Sequence, residues 1–191
     1  GTEVWLLQRH VEPLLCRGRK FHLRALLLCL GDLRAYLHED VRMLLATEPF
    51  ERGARDSGRL SALVTNMGVS RQHGDYAEEA QNLALAEGLG EAAAGEVLAQ
   101  AVAVVGETLA RVRRGGRRQF FTLPNCWELF GVDLLVEAGS GRVLLLEVNP
   151  SPSLAMYGED GGEVRARLLG EAPLAGPPAG AGWRPVPCDV E

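Results

Sequence analysis

Three oxygen-bearing side chains, Asp133, Glu147 and Asn149, sit in the run FGVDLLVEAGSGRVLLLEVN, two apolar stretches joined by a glycine-containing loop. Folding the run back symmetrically about Ser140 puts Asp133 opposite Glu147, and strand alternation sends Asn149 to the face that carries Glu147. Two carboxylates that meet in apolar surroundings repel each other and lose hydration unless a cation lies between them. Carboxylate and amide oxygens suit Mg²⁺, with Mn²⁺ as the second choice, and such an ion keeps places for water and substrate phosphate. A general acid–base pair is a poorer account, because the amide adds nothing to proton transfer but does add a metal ligand. The competing reading is an ordinary half-solvated sheet with both acids on its wet face. VLLLEV, apolar at successive positions, predicts burial on both faces and favours the metal.

Holding those ligands requires a strand pair that ends on time, and Pro150 and Pro152 bar the second strand from continuing where its ligands meet solvent. The first 50 residues also read as strands. KFHLRALLLCL and LRAYLHED flank a two-residue Gly31-Asp32 turn, and alternation puts Lys20, His22 and Arg24 on one strand face. Val4, Trp5, Leu6 and Leu7 form another strand-like run. Residues 51–60 read as a loop, 77–89 as a weak helix and 91–114 as a strong one, with Val97, Leu98, Ala101, Val102, Val105, Leu109 and Val112 along one stripe. Arg111, Arg113 and Arg114 suit that helix's C-terminal dipole and Gly115-Gly116 stops it; Arg117 and Arg118 extend the basic run, which is a solvated helix end or a contact for an acidic partner. Composition then turns rich in Pro, Gly and Ala. The expected division is an ordered domain over residues 1–170 and a tail or linker over 171–191.

Length and charge narrow the classes. The 191 residues suffice for one sizeable core, although a start at Gly1 just before a strand reads as a piece of a longer protein. A net charge of −5 argues against a general nucleic-acid binder. The four cysteines form no CxxC pair, which disfavours structural zinc and a disulfide framework, and Cys29 and Cys126 read as core thiols. No run approaches the length of a membrane span, so the expectation is a soluble intracellular domain without a membrane partner.

NCWELFGVDLLVEAGSGRVLLLEVNPSPSL resembles the C-terminal signature of the tubulin tyrosine ligase-like family, whose fold is ATP-grasp. The resemblance implies that Asp133, Glu147 and Asn149 bind the magnesium ions of ATP. VWLLQRHVEPLL is similar to the family's adenine-receiving strand and hinge, so Gln8, Arg9, His10 and Val11 would line that pocket. GRKFHLR resembles R-K-F-D-x-R, implying that Lys20 and Arg24 face the phosphates or the acceptor as catalytic groups, and LVTN resembles H-L-T-N, retaining Thr65 and Asn66 at the nucleotide. The chain departs from the pattern where His22 replaces Asp, Leu63 replaces His, and Leu44 falls at the position of an arginine, with Arg42 two residues away.

The implied fold is α+β, an ATP-grasp-like antiparallel sheet with flanking helices, incomplete because the N-terminal lobe and its glycine-rich phosphate loop would precede Val4. The implied activity is ATP-dependent ligation of a free amino acid (tyrosine, glutamate or glycine) to a protein through an acyl phosphate. The acceptor would be the acidic tubulin tail or another protein, the location cytoplasmic, on the cytoskeleton or at a cilium, and the isolated chain inactive. The alternatives are a catalytically inactive family member acting as a tubulin- or protein-binding scaffold, and an ATP-grasp ligase for a small metabolite.

Overall fold

A computed structural model describes residues 3–53, 58–72, 74, 76–116, 122–157, 161–170, 175–177 and 180–188. In chain order the elements are β1 (Leu15–Cys16), β2 (Arg19–Leu30), β3 (Ala35–His38), β4 (Arg42–Leu45), α1 (Met67–Ser70), α2 (Glu78–Gln81), β5 (Asn82–Ala84), α3 (Leu85–Leu89), α4 (Glu91–Gly115), β6 (Trp127–Val136), β7 (Val143–Pro150), α5 (Gly161–Leu169) and β8 (Trp183–Pro185). Every ladder among the described residues is antiparallel, giving the α+β class expected. β2 is the axis. On one side it pairs with β6, which pairs with β7; on the other its first half pairs with β4 and its second half with β3. β5 and β8 extend those two halves outward.

The two faces of β2 differ. Phe21, Leu23, Ala25 and Leu27 point into a core shared with Val97, Leu98, Ala101 and Val105 of α4 and Val132, Leu134 and Val136 of β6. On the opposite face Leu26, Leu28 and Leu30 meet Val164, Leu168 and Leu169 of α5. The polar residues Lys20, His22 and Arg24 occupy the first half of that second face. One strand therefore supplies a continuous core on one side and, on the other, a core followed by a site.

α4 matches the expected helix, although Val112, placed in its apolar stripe, is exposed. By length and composition alone this helix is long and apolar enough to cross a membrane, contrary to the sequence expectation, but its apolar stripe packs on the sheet. The weak helix over 77–89 is broken into α2 and α3 by β5, because residues 82–84 pair with the edge of β4. Val4–Leu7 forms no strand: its side chains are 85% to 99% exposed, since a strand stabilises only against a pairing or packing neighbour. Cys126 is exposed and Cys29 half-buried, whereas Cys16 and Cys188 are the buried thiols.

The β2–β3 turn has three residues, not two. Leu33 N donates to Leu30 O and Leu30 N donates to Arg34 O, both at 2.8 Å, with Leu33 at φ 69°. Gly31 is pinned from outside, donating to Cys126 O at 2.8 Å and accepting from Leu123 N at 2.9 Å. A Cβ on Gly31 would lie 1.8 Å from the Leu123 carbonyl oxygen. Tertiary contact between backbones, more than local turn preference, fixes this corner.

The Pro/Gly/Ala-rich segment read as a tail returns to the domain. β8 pairs with β3, and Val186 and Cys188 are buried. Gly106 lets α4 approach it, because a Cβ there would meet Pro187 O at 2.4 Å. His38 anchors the same segment: its Nε2–H donates to Ala181 O at 2.9 Å, its Nδ1 accepts from Asp40 N at 3.1 Å, and Trp183 stacks edge-on at 4.8 Å. Composition could not show this, because the few apolar side chains that dock are diluted by turn formers.

Gly31→Ala is expected to lower stability by about 3 kcal/mol or more, from forced displacement of the 122–126 backbone, as read by urea unfolding. Burial holds the His38 imidazole below its usual value, so it remains neutral when folded and takes up a proton on unfolding. Its contribution is therefore complete above pH ~6.5 and declines as pH falls below that toward and through the folded-state value. His38→Gln should flatten this part of a stability–pH profile; equal slopes in the two proteins would contradict the assignment.

Candidate functional site

The polar half of β2 floors a cleft of about 1280 Å³, walled by Asp133, Leu135, Leu144, Leu146 and Glu147 from the β6–β7 hairpin, residues 8–13, residues 50–53 and residues 63–66. Register puts Arg24 directly beside Asp133 and Asp133 beside Glu147, so the three strands bring their charged residues to one face. Asn149 lies on that face two residues beyond Glu147, opposite Gly131.

The hairpin reaches this arrangement through a register shift. From Phe130↔Pro150 to Asp133↔Glu147 the pairing is the one symmetry about Ser140 predicts, but nearer the turn Leu134 pairs with Leu145 and Val136 with Val143. Leu146 is the extra residue of a β-bulge. The break reverses the strand's phase, so Val143 and Leu145 face the α4 core while Glu147 and Asn149 face the cleft. Unbroken alternation would have sent Leu144 and Leu146 to that core. Three successive leucines make either choice chemically acceptable, which is why the sequence did not reveal it.

Asp133 is buried, and Arg24 grips it in a bidentate pair, Nε on Oδ1 and Nη2 on Oδ2, the latter at 2.8 Å. Asn149 Nδ2 donates to Glu147 Oε1 at 2.9 Å and reaches Asp133 Oδ2 at 3.4 Å. The expectation that VLLLEV is buried on both faces fails: Leu146, Glu147 and Val148 are exposed, because β7 is the outer strand of this side of the sheet. Two buried carboxylates in need of a cation are therefore absent. One buried carboxylate is held by arginine, and one exposed carboxylate is linked to it by an amide.

Lys20 is half-buried on the cleft wall, makes no ion pair among the described residues, and is held below its usual pKa by burial. Burial, reinforced by Arg24 and Lys20, lowers the His22 imidazole to about 4. Its Nδ1 lies 2.6 Å from Thr65 Oγ1, while its Nε2 is buried without a hydrogen-bond partner among the described residues, 3.7 Å from Asp133 Oδ1.

Of the other expected residues, Gln8, Arg9, His10 and Val11 line the cleft as extended chain, tied down where Glu12 pairs with His10 at 3.6 Å and Arg52 at 3.0 Å. Thr65 faces His22, and Asn66 lines the cleft while capping α1 through Gly68 N. Leu44 pairs across from His22 and Arg42 across from Arg24, so both are on the cleft face. Arg42, however, is engaged with Asn82 and Asp40 and is absent from the lining. Arg111 pairs with Glu107, and Arg113 donates to Cys188 O at 2.6 Å. Both belong to α4, which covers the opposite face of the sheet, and neither lines this cleft; Arg117 and Arg118 lie outside the described residues. Sequence reasoning missed Gly131, where a Cβ would come within 3.0 Å of Pro152 and 3.4 Å of the Arg24 side chain. The Gly before Val132-Asp133 was its only signal.

The donor set fits a hard cation in part. Asp133, Glu147 and Asn149 present two carboxylates and an amide on one face, the chemistry Mg²⁺ accepts when a ligand's oxygens complete its shell. Among the described residues no three His, Cys, Asp or Glu side chains already stand together as a metal site, so such an ion would depend on Asn149 and on oxygens from water or a bound molecule.

The chain is similar to known proteins. A family model described as the tubulin-tyrosine ligase family matches residues 1–171. A Schizosaccharomyces pombe protein described as a probable tubulin–tyrosine ligase is 29% identical over 162 residues, covering 82% of this chain and 38% of the relative. The Saccharomyces cerevisiae probable tubulin–tyrosine ligase PBY1 is 26% identical over 166 residues, covering 82% and 22%. The Bos taurus probable tubulin polyglutamylase TTLL9 is 27% identical over 175 residues, covering 88% and 37%. The chain thus spans well under half the length of these relatives.

Arg24→Met leaves Asp133 buried without its partner and is expected to cost about 3–5 kcal/mol in urea unfolding. Arg24→Met combined with Asp133→Leu should cost clearly less than the sum of the two single changes; additive losses would show that the pair is not the stabilising unit.

Proposed function

We propose, since the chain belongs to the tubulin-tyrosine ligase family by its match over residues 1–171, that its cleft is the floor of an ATP-grasp site for joining an amino acid to a protein. The observation that carries this reading is the convergence of Lys20, Arg24, Asp133, Glu147 and Asn149 on one sheet face, each from a motif that resembles the family's own. Residues 8–11 would receive the adenine, and Thr65 and Asn66 would lie along the nucleotide. Asp133, Glu147 and Asn149 would hold Mg²⁺, which when bound neutralises charge on phosphate oxygens. The cover over the phosphates is assigned to a second lobe outside this sequence.

In the proposed reaction the terminal phosphoryl group of ATP passes to a carboxylate oxygen, releasing ADP and forming an acyl phosphate. An amine then attacks the carbonyl carbon, phosphate departs, and the amine loses a proton as the amide forms. Lys20, without an ion pair of its own among the described residues, would attract the anionic groups. Arg24 acts chiefly through Asp133, fixing the carboxylate that the cation needs. Because the relatives are described as tubulin–tyrosine ligases and a tubulin polyglutamylase, the proposed acceptor is tubulin, in the cytoplasm or on the cytoskeleton.

A second reading has its own observation. Asp133 is already neutralised by Arg24, as it would be in a family member that binds a protein partner without turning over nucleotide. In the full-length protein, Glu147→Gln should lower ATP-dependent incorporation of labelled amino acid into tubulin by about 100-fold or more, since it removes part of the cation's hold on transition-state charge. Unchanged turnover in the variant would refute the metal assignment. Tubulin binding without any Mg²⁺-dependent nucleotide binding would favour the scaffold.

A further inference from the structure

We infer that His22 is a nitrogen ligand of the cation site, making it a mixed nitrogen–oxygen centre that selects Mn²⁺ and its first-row neighbours over Mg²⁺. This rests on the reading of Asp133, Glu147 and Asn149 as a cation site and names a ligand that reading lacks.

The 2.6 Å contact between His22 Nδ1 and Thr65 Oγ1 is compatible with two tautomers: with Nδ1–H donating, Nε2 carries a lone pair, and with the Thr65 hydroxyl donating, Nε2 carries the proton. Nε2 is buried and has no hydrogen-bond partner among the described residues. Asp133 Oδ1 lies 3.7 Å from it, too far for a hydrogen bond. On Asp133, Oδ2 accepts from Arg24 Nη2 and Asn149 Nδ2, while among the described residues Oδ1 accepts only from Arg24 Nε. A carboxylate oxygen can accept twice, so Oδ1 retains one open position beside the open position of Nε2. In the Nδ1–H tautomer these are two buried acceptors facing each other, an arrangement that a cation between them stabilises.

The spacing is close to what such an ion needs. Metal–nitrogen and metal–oxygen bonds of about 2.0–2.2 Å place neighbouring ligand atoms about 3.0 Å apart in an octahedral shell and about 3.5 Å apart in a tetrahedral one, so the 3.7 Å pair has to close by a few tenths of an ångström. The hydrogen bond on the other ring nitrogen is the usual support of a ligating histidine, orienting the ring and fixing its tautomer. Glu147, exposed and joined to Asp133 through Asn149, can swing to complete the set. An imidazole nitrogen strengthens binding of transition dications more than of Mg²⁺, which favours oxygen. Lys20 and Arg24 offset the two carboxylates, so the occupied site would be net positive and suited to an anionic co-ligand.

Mn²⁺ alone is the probe, added to the 191-residue chain and followed by electron paramagnetic resonance. Loss of the free-ion signal reports binding, and pulsed measurement of the bound ion reports directly coordinated ¹⁴N. The wild-type chain should bind Mn²⁺ with a histidine-type ¹⁴N coupling. His22→Asp should still bind it, lose that coupling, and show a preference for Mn²⁺ over Mg²⁺ lower by about tenfold or more in competition. Mn²⁺ bound with no ¹⁴N coupling, or with a coupling that survives His22→Asp, overturns the role of His22 while leaving the oxygen ligands intact. No binding at all, or binding indifferent to Glu147→Gln, overturns the cation site itself and this inference with it.

Discussion

The bidentate contact between Arg24 and Asp133 is the constraint around which the site is organised. It joins the central strand to β6, and it allows a cationic and an anionic side chain to sit mid-sheet where apolar neighbours would otherwise be required. On the rest of that face the same strand is leucine against α5. The boundary falls between Arg24 and Leu26, two positions apart, with Gly131 opposite Leu26 leaving room for the arginine side chain. Without a paired charge at that boundary the strand would be either a core strand or a solvent strand, and it is both.

Much of the fold was legible because its signals were local and periodic. Alternation at Lys20, His22 and Arg24, the stripe from Val97 to Leu109, and the loop around Ser140 each predicted an element that forms. Failures arose where the deciding partner is distant in sequence. Leu33 adopts a left-handed backbone because the 122–126 segment clasps Gly31, and β5 interrupts a helix because β4 offers an edge. Trp183, Val186 and Cys188 dock a segment whose composition announces a linker.

The candidate site divides the same way. Which residues share a face follows from strand parity, so Asp133, Glu147 and Asn149 could be grouped in advance. What each of them touches does not follow from parity. Arg24 pairs with Asp133, Thr65 contacts the His22 ring, and Arg42 spends its donors on Asn82 and Asp40. The arginines on α4 show the limit of reading charge without position. They are basic and close in sequence, but a whole sheet stands between that helix and the cleft.

The extra leucine of β7 bears on how such sites are found. Because Leu146 is absorbed by the bulge at an outer strand, the number of residues between the turn and Glu147 is not what positions the carboxylate; its ladder pairing with Asp133 is. A chain lacking that one residue could pair straight through, with Val143, Leu145, Glu147 and Asn149 keeping their partners. Patterns with fixed spacers would treat two such chains as different, and an alignment would open a one-residue gap inside a strand where gaps are usually penalised. What fixes the carboxylate is its pairing partner, not a sequence interval.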